Sequence, residues 1–156
     1  MKIMIIYDSV FGNTEKIAKS MEASLGVEDV KVIRVSDVKS DQLTEVQLLV
    51  VGSPTRGFRP TKPISDFLKN IPSNGLKGVK VAAFDTRITI DKKVPLILRF
   101  LSNIFGYAAK PIAEKLAEKG GELIVPPEGF IVKGSEGPLK ESELERAEAW
   151  VKQIKS

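Results

Sequence analysis

The chain has 156 residues, of which 42% are hydrophobic and 28% charged, and 24 basic against 20 acidic residues give a formal net charge of +4. This length and composition are typical of one globular domain with its own core, and we expect residues 1–156 to form a single domain. The sequence has no cysteine and no histidine, which excludes disulfides, thiolate nucleophiles, imidazole bases and the usual zinc and iron–sulfur sites, so that redox chemistry would need an organic cofactor or carboxylates.

Apolar segments and segments with helical periodicity alternate along the chain. In chain order they predict strand 3–7, helix 14–25, strand 30–35, one helical turn at 41–45, strand 46–52, helix 63–70, strand 79–85, helix 108–119, a last strand from 122–125 together with 130–132, and helix 141–155. Strands that alternate with helices imply βαβ crossovers. The elements therefore predict an α/β fold with a five-stranded parallel sheet and helices on both faces.

The segment 95–105 is more apolar than a helix on one side of a sheet requires. Its large apolar side chains cover about 200° of a helical wheel, whereas a stripe somewhat wider than about 100° suffices for packing on one surface. We therefore expect a second partner for this helix, and a homodimer through 95–105 is the preferred version. The alternative is a deeply buried helix under residues 126–132.

The loop between the first strand and the first helix has the composition of a phosphate site. It consists of Ser9, Val10, Phe11, Gly12, Asn13 and Thr14. Ligands of parallel α/β sheets bind at the carboxyl ends of the strands, and amides at a helix start suit a phosphate. Gly12 allows a close approach, and the side chains of Ser9, Asn13 and Thr14 add donors. A simple helix cap by Asn13 or Thr14 is the alternative.

Residues 5–18 (IIYDSVFGNTEKIA) resemble the N-terminal signature of flavodoxins. The pattern is aliphatic, aromatic, any residue, Ser or Thr, two residues, Gly, any residue, Thr, three residues, Ala. The resemblance covers nearly the whole chain in element order. It implies a doubly wound flavodoxin-like sheet with strand order 2-1-3-4-5 and FMN as a non-covalent cofactor. The family's FMN phosphate loop matches Ser9, Gly12, Asn13 and Thr14.

The loop after the third strand contains Ser53, Pro54, Thr55, Arg56, Gly57 and Phe58. Proline and glycine can give a fixed, close-fitting turn against which a planar ring lies, but they are also usual in an ordinary strand-to-helix turn. The sequence Gly-Ser-Pro-Thr at 52–55 resembles the flavodoxin loop beside the isoalloxazine ring. This resemblance implies that the second loop borders the flavin.

A third loop begins at Asp85, Thr86 and Arg87, at the end of the fourth strand. Its position matches the third FMN loop of the family, which implies that its backbone and Asp85 contact the polar edge of the ring. By residue type alone, a solvated Asp–Arg turn is the preferred interpretation.

The second and third loops differ from the family in their aromatic residues and in their charge. Flavodoxins commonly hold the ring between aromatic side chains, whereas here Arg56 and Arg87 stand near, Phe58 is the only aromatic residue in these two loops, and Trp150 lies in the last helix. The basic residues are Arg56, Arg59, Lys62, Arg87, Lys92 and Lys93, opposed by Asp85 and Asp91. A positive rim favours the reduced, anionic flavin and attracts acidic partners or a nucleotide phosphate. A solvated basic surface is the alternative.

The leading functional prediction is an electron carrier that passes electrons between redox partner proteins through FMN. Such a carrier needs no acid, base, nucleophile or metal, and we predict no catalytic residue and no metal ligand. An FMN-dependent NAD(P)H- or quinone-type oxidoreductase is the alternative, because Pro54, Thr55 and Arg56 are similar to the ring loop of flavodoxin-like quinone reductases. A flavin-free scaffold with this fold is a third possibility.

Other function classes lack their motifs. A response-regulator receiver needs an acidic cluster after strand one and an Asp at the end of strand three, a nucleoside triphosphatase needs Gly-Lys-Ser/Thr, and a dinucleotide-binding Rossmann domain needs Gly-x-Gly-x-x-Gly. No basic–aromatic stripe indicates nucleic acid. No apolar run is long enough for a membrane span and no signal peptide begins the sequence, so we expect a cytoplasmic protein.

Overall fold

The computed structural model describes residues 1–26, 29–88, 96–97 and 106–155. Within these residues the strands are β1 (Ile3–Tyr7), β2 (Val30–Arg34), β3 (Leu48–Pro54), β4 (Lys80–Ile88), β5 (Glu122–Leu123) and β6 (Glu128–Val132). The α-helices are α1 (Asn13–Leu25), α2 (Lys62–Asn70), α3 (Ala109–Glu118) and α4 (Glu143–Lys155). Two short 3-10 helices, Val35–Asp37 and Ser40–Leu43, lie between β2 and β3.

The strands form one parallel sheet in the order β2-β1-β3-β4, with both β5 and β6 beside β4. The predicted α/β fold with strand order 2-1-3-4-5 is confirmed. The fifth position is occupied by two short strands: β5 pairs with Lys80 and Val81, and β6 pairs with residues 84–88. Pro126 and Pro127 separate them, and proline has no amide hydrogen with which to continue the ladder.

Side chains of each central strand alternate between two apolar cores, one on each face of the sheet. Along β1, Met4 and Ile6 belong to the core under α2 and α3, whereas Ile3 and Ile5 belong to the core under α1 and α4. All four are at most 1% exposed. This burial on both faces explains why the strands are continuously apolar rather than alternating.

An aromatic cluster fills the core under α1 and α4. Phe84 of β4 packs edge-to-face on Phe130 at 5.9 Å and on Trp150 at 6.2 Å between ring centroids. Phe130 and Trp150 make a similar contact at 6.1 Å. The only tryptophan of the chain, Trp150 in α4, is therefore a core residue.

The apolar segment 95–105 lies outside the described residues except for Leu96 and Ile97, which are 73% and 61% exposed. Asp91, Lys92 and Lys93 also lie outside the described residues. The homodimer through this segment therefore stays a prediction. Every helix in the described part of the chain is too short or too polar to cross a bilayer.

Glu143 joins the start of α4 to β6. Its buried carboxylate accepts hydrogen bonds from the Ile131 amide at 2.6 Å and from Arg146 at 2.8 and 3.0 Å. Burial alone would raise the pKa of Glu143, but the bonds from Arg146 and the Ile131 amide outweigh it and hold the pKa below the ordinary value of 4.5. The ionised carboxylate therefore stabilises the fold above the unfolded-state pKa, and this contribution is lost as the pH falls through the folded-state pKa.

We expect Glu143→Gln to lower the free energy of unfolding at pH 7 by about 1.5–3 kcal/mol, the range for buried hydrogen bonds to a charged group. The difference from wild type should shrink as the pH falls below the ordinary pKa of 4.5. Urea denaturation across this pH range measures both quantities. Glu145→Gln, at an exposed position in the same turn, is the control and should change little. A difference that stays constant with pH would contradict the assignment.

Candidate functional site

A cavity of about 340 Å³ lies at the carboxyl ends of β1, β3 and β4. It is lined by Ser9, Val10, Phe11, Asn13, Thr14, Pro54, Thr55, Arg56, Gly57, Thr86, Arg87, Ile88, Val132 and Ser135. Its size falls within the range of about 300–1,000 Å³ usual for small-molecule sites, at the edge where α/β sheets bind ligands. The three loops singled out in the sequence therefore meet at one cavity.

Most of the predicted site residues line this cavity, but Gly12, Ser53, Phe58 and Asp85 do not. Three lining residues were not among the predictions: Ile88, Val132 and Ser135. Ile88 extends β4 beyond its predicted end. Val132 and Ser135 reach the cavity because β6 lies beside β4, a contact between distant parts of the chain that no local pattern signals.

The first loop leaves backbone amides without an acceptor in the described part of the chain. No described residue accepts a hydrogen bond from the amides of Phe11, Asn13 or Thr14. Gly12 is the N-cap of α1 with a left-handed φ of 93°, and no side chain caps the helix. The interpretation of Asn13 or Thr14 as a simple helix cap is therefore wrong. Unpartnered amides at a helix N-terminus are a ready site for an anion.

The polar side chains of this loop make contacts within the protein. The Asn13 side chain donates to the carbonyl of Glu136 at 3.2 Å, and the hydroxyls of Thr14 and Thr86 lie 2.9 Å apart. Ser9 Oγ accepts the amide of Gly12 at 3.0 Å, which leaves its hydroxyl hydrogen for another acceptor. The Asn13 amide group thus positions the loop, while the backbone amides supply most of the free donors.

Asp8 fixes the first loop from the side of the sheet. Its carboxylate accepts the Ser9 amide at 2.9 Å, the Thr61 hydroxyl at 2.6 Å and Arg34 at 3.4 Å. Arg34 also donates to the Ser9 carbonyl at 2.9 Å. These contacts connect the loop to the end of β2 and the start of α2, which holds its backbone in one conformation.

The second loop is a two-residue hairpin. Arg56 and Arg59 exchange backbone hydrogen bonds of 2.8 and 3.1 Å across Gly57 and Phe58, which have positive φ angles of 55° and 67°. Two central residues with positive φ are typical of a type I′ turn. The hairpin carries Arg56 to the cavity, where its guanidinium lies 5.7 Å from the ring centroid of Phe11.

Ser53 supports the second loop from inside the sheet. It is fully buried, and its hydroxyl accepts the Thr61 amide at 3.0 Å and donates to the Pro54 carbonyl at 2.9 Å. The amide of Thr55 donates to the carbonyl of Thr86 at 2.9 Å, which joins the second and third loops.

Asp85 is fully buried and does not line the cavity. Its carboxylate forms two hydrogen bonds of 2.7 Å with Arg87 and accepts the amide of Ala109 at 2.9 Å. Burial raises the pKa of Asp85 against the opposing effects of Arg87 and the Ala109 amide. The interpretation as a solvated Asp–Arg turn is wrong, and the expected contact of the Asp85 side chain with the ring does not fit this orientation.

Tyr107 completes the surroundings of Arg87. The Arg87 guanidinium lies 3.9 Å from the Tyr107 ring centroid, close enough for a cation–π contact. Tyr107 was not among the predicted site residues, because it precedes α3 and lies far along the chain from the third loop. An arginine backed by an aromatic ring thus stands at this wall of the cavity.

The lining offers both donors for an anion and exposed apolar surface. Unpartnered amides lie at the first loop, and Val10, Phe11 and Ile88 are 50%, 46% and 44% exposed. Arg56 and Arg87 add positive charge. These features fit FMN, which combines a phosphate with a planar ring. No group of three potential metal ligands comes together among the residues that the structure describes.

Comparison with known proteins agrees with this description. The family model for flavodoxin matches residues 5–150. Flavodoxin 2 from Bacillus cereus gives a TM-score of 0.79 at 25% identity, covering 99% of this chain and 98% of that chain. A flavodoxin from the domain Archaea gives 0.71 at 25% identity over 100% of both chains, and flavodoxin 1 from Bacillus cereus gives 0.74 at 18% identity over 99% and 97%. The chain belongs to the flavodoxin family and is an FMN-binding electron-transfer protein.

Proposed function

We propose that this protein is an electron carrier and that the cavity at the three loops holds its FMN. The observation that carries the site assignment is the set of unpartnered amides at Phe11, Asn13 and Thr14 beside the cavity. In this proposal these amides and the Ser9 hydroxyl bind the phosphate. Gly12 gives the loop its conformation, and the second and third loops border the ring.

The cavity lining favours a carrier over an enzyme with its own acid–base chemistry. FMN, when bound, supplies reversible electron acceptance. None of the described lining residues carries a carboxylate, and the nearest acidic group of the third loop, Asp85, is engaged with Arg87 and Ala109. The lining residues therefore bind and orient a ligand, while protons would come from solvent.

The charge and the exposed apolar area of the surface around the cavity favour an acidic redox partner. Val10, Phe11 and Ile88 form an exposed apolar centre. Arg56 lies beside it, and Arg59 follows across the hairpin from Arg56. No described carboxylate is paired with either side chain. An apolar centre with a charged rim is the usual arrangement of a protein interface. Unpaired cations at the rim accelerate association with an acidic surface, and salt screens this effect.

One observation favours the oxidoreductase alternative. A second cleft of about 380 Å³ lies beside the cavity and shares Gly57 with it. Arg59 and Lys110 are among its lining residues, together with Glu114. A cleft with two cations next to a flavin could hold the phosphate of a nicotinamide nucleotide. This arrangement would make the protein a reductase.

Mixing the FMN-loaded protein with NADH or NADPH decides between the two. A carrier shows no steady oxidation of either nucleotide without a separate reductase, whereas sustained turnover would overturn the proposal.

For the partner, we expect the chemically reduced protein to reduce an acidic cytochrome at least about tenfold faster than a basic one of similar potential at low salt. This preference should disappear at high salt and in Arg56→Gln/Arg59→Gln. Lys31→Gln, which removes an exposed charge on β2, should leave it unchanged.

A further inference from the structure

We propose that Arg87 is a fixed cation that raises the reduction potential of the bound FMN by stabilising its reduced, anionic form. This inference rests on the proposed position of FMN in the cavity. It assigns the effect to one side chain rather than to the basic surface as a whole, and it follows from how the fold holds that side chain.

The first restraint on Arg87 is Asp85. Nε and Nη2 of Arg87 each donate a 2.7 Å hydrogen bond to a different carboxylate oxygen of Asp85. Asp85 is 0% exposed and is itself held by the amide of Ala109 at 2.9 Å. A bidentate pair of this kind fixes the plane of the guanidinium as well as its position.

The second and third restraints come from Tyr107 and Gly129. The Tyr107 ring covers one side of the guanidinium at 3.9 Å. On β6, a Cβ atom at Gly129 would lie 2.1 Å from Nε and 2.2 Å from Cζ of Arg87. The guanidinium thus occupies the space that any side chain at 129 would fill. Residues from three separate parts of the chain therefore converge on one cation.

The two partners of this ion pair differ in their access to the cavity. Arg87 lines the cavity, with a side chain that is 23% exposed, whereas Asp85 is fully buried and does not line it. A reduced, anionic flavin carries a charge that the oxidised ring lacks. A cation that is already in place stabilises this charge without any cost of rearrangement. Arg56 differs, because it is exposed and its charge is screened by salt.

Gly129→Ala tests the proposal without changing any charge. The added methyl would occupy the space of the guanidinium and should therefore displace it from its restrained position. The midpoint potential of bound FMN, measured relative to that of free FMN, gives the preference of the protein for reduced over oxidised FMN. We expect this preference to fall at least about tenfold, which corresponds to about 30 mV for a two-electron couple. Gly134→Ala is the matched control, since a Cβ at residue 134 would make an ordinary 3.5 Å contact. The midpoint potential of FMN bound to this variant should equal that of wild type.

Removal of the charge provides the second test. The double variant Asp85→Asn/Arg87→Gln removes the cation without leaving an unpaired buried carboxylate. We expect it to lower the midpoint potential of bound FMN at both low and high salt. Any effect of Arg56→Gln on the potential should vanish at high salt. An unchanged potential in both the Gly129 and the double variant, loaded with FMN, would overturn this inference and leave the proposed site intact. Wild-type protein that fails to bind FMN would overturn both.

Discussion

Gly12→Ala is expected to weaken FMN binding by about tenfold or more while the apoprotein stays folded. Gly12 has a φ of +93°, and no atom lies within 4 Å of the position that a Cβ would take. The substitution therefore acts only through the backbone, where a left-handed conformation costs about 1–2 kcal/mol for a residue with a side chain. Relief of this strain would rotate the peptide planes on either side of residue 12. The amides that we propose to bind the phosphate lie next to these planes.

Gly78→Ala is the matched control. Gly78 has a φ of +81° and likewise no atom within 4 Å of its Cβ position, but it precedes β4 at the amino end of the strand, opposite the cavity. We expect the same loss of stability in urea denaturation from both variants. Only Gly12→Ala should lose affinity in a titration of FMN fluorescence. Equal FMN affinity in the two variants would show that the first loop does not bind the phosphate in the way proposed.

Gly52→Ala is expected to lower the free energy of unfolding by about 1–3 kcal/mol, the usual cost of overpacking a core. A Cβ at residue 52 would lie 2.1 Å from Cζ of Phe84. The Phe84 ring is fully buried and packs against Phe130 and Trp150, so a shift of this ring would disturb the other two. The contact explains why β3 contains a glycine at a position where it pairs with two central strands.

Relief of the overlap tests this reason. In Gly52→Ala/Phe84→Leu the smaller side chain leaves room for the methyl group, and the double variant should be less destabilised than the sum of the two single variants. Urea denaturation of the four proteins gives the coupling energy. Strict additivity would show that the Gly52–Phe84 contact is not the cause of the loss.

The meeting of the three loops could be predicted because local patterns mark the strands and their ends, whereas the strand order is implied only by the resemblance of residues 5–18 to flavodoxins. Continuous apolar runs mark strands buried on both faces, and each run ends in polar and glycine residues at the same edge. Gly12, Pro54 and Arg87 illustrate this, since each follows one of these apolar runs. Parallel strands then bring these loops together, whatever the details of packing.

The features that could not be predicted depend on contacts between distant parts of the chain. Asp85 looks like a solvent-exposed turn residue in sequence, and only the start of α3 behind it provides the buried amide partner. Tyr107 and Ser135 reach the site because α3 and β6 pack on β4. Gly129 gives no signal in sequence, as its lack of a side chain matters only where the Arg87 guanidinium occupies that space.

The division of the fifth sheet position has a consequence for self-association. An unpaired outer strand offers amides and carbonyls to any other extended chain and so promotes aggregation. Here β5 has two residues, the two prolines that follow offer no amide hydrogen, and β6 is partly covered because Val132 bridges to Leu139. This border of the sheet gives an incoming strand no continuous row of donors among the described residues, which disfavours edge-to-edge association there.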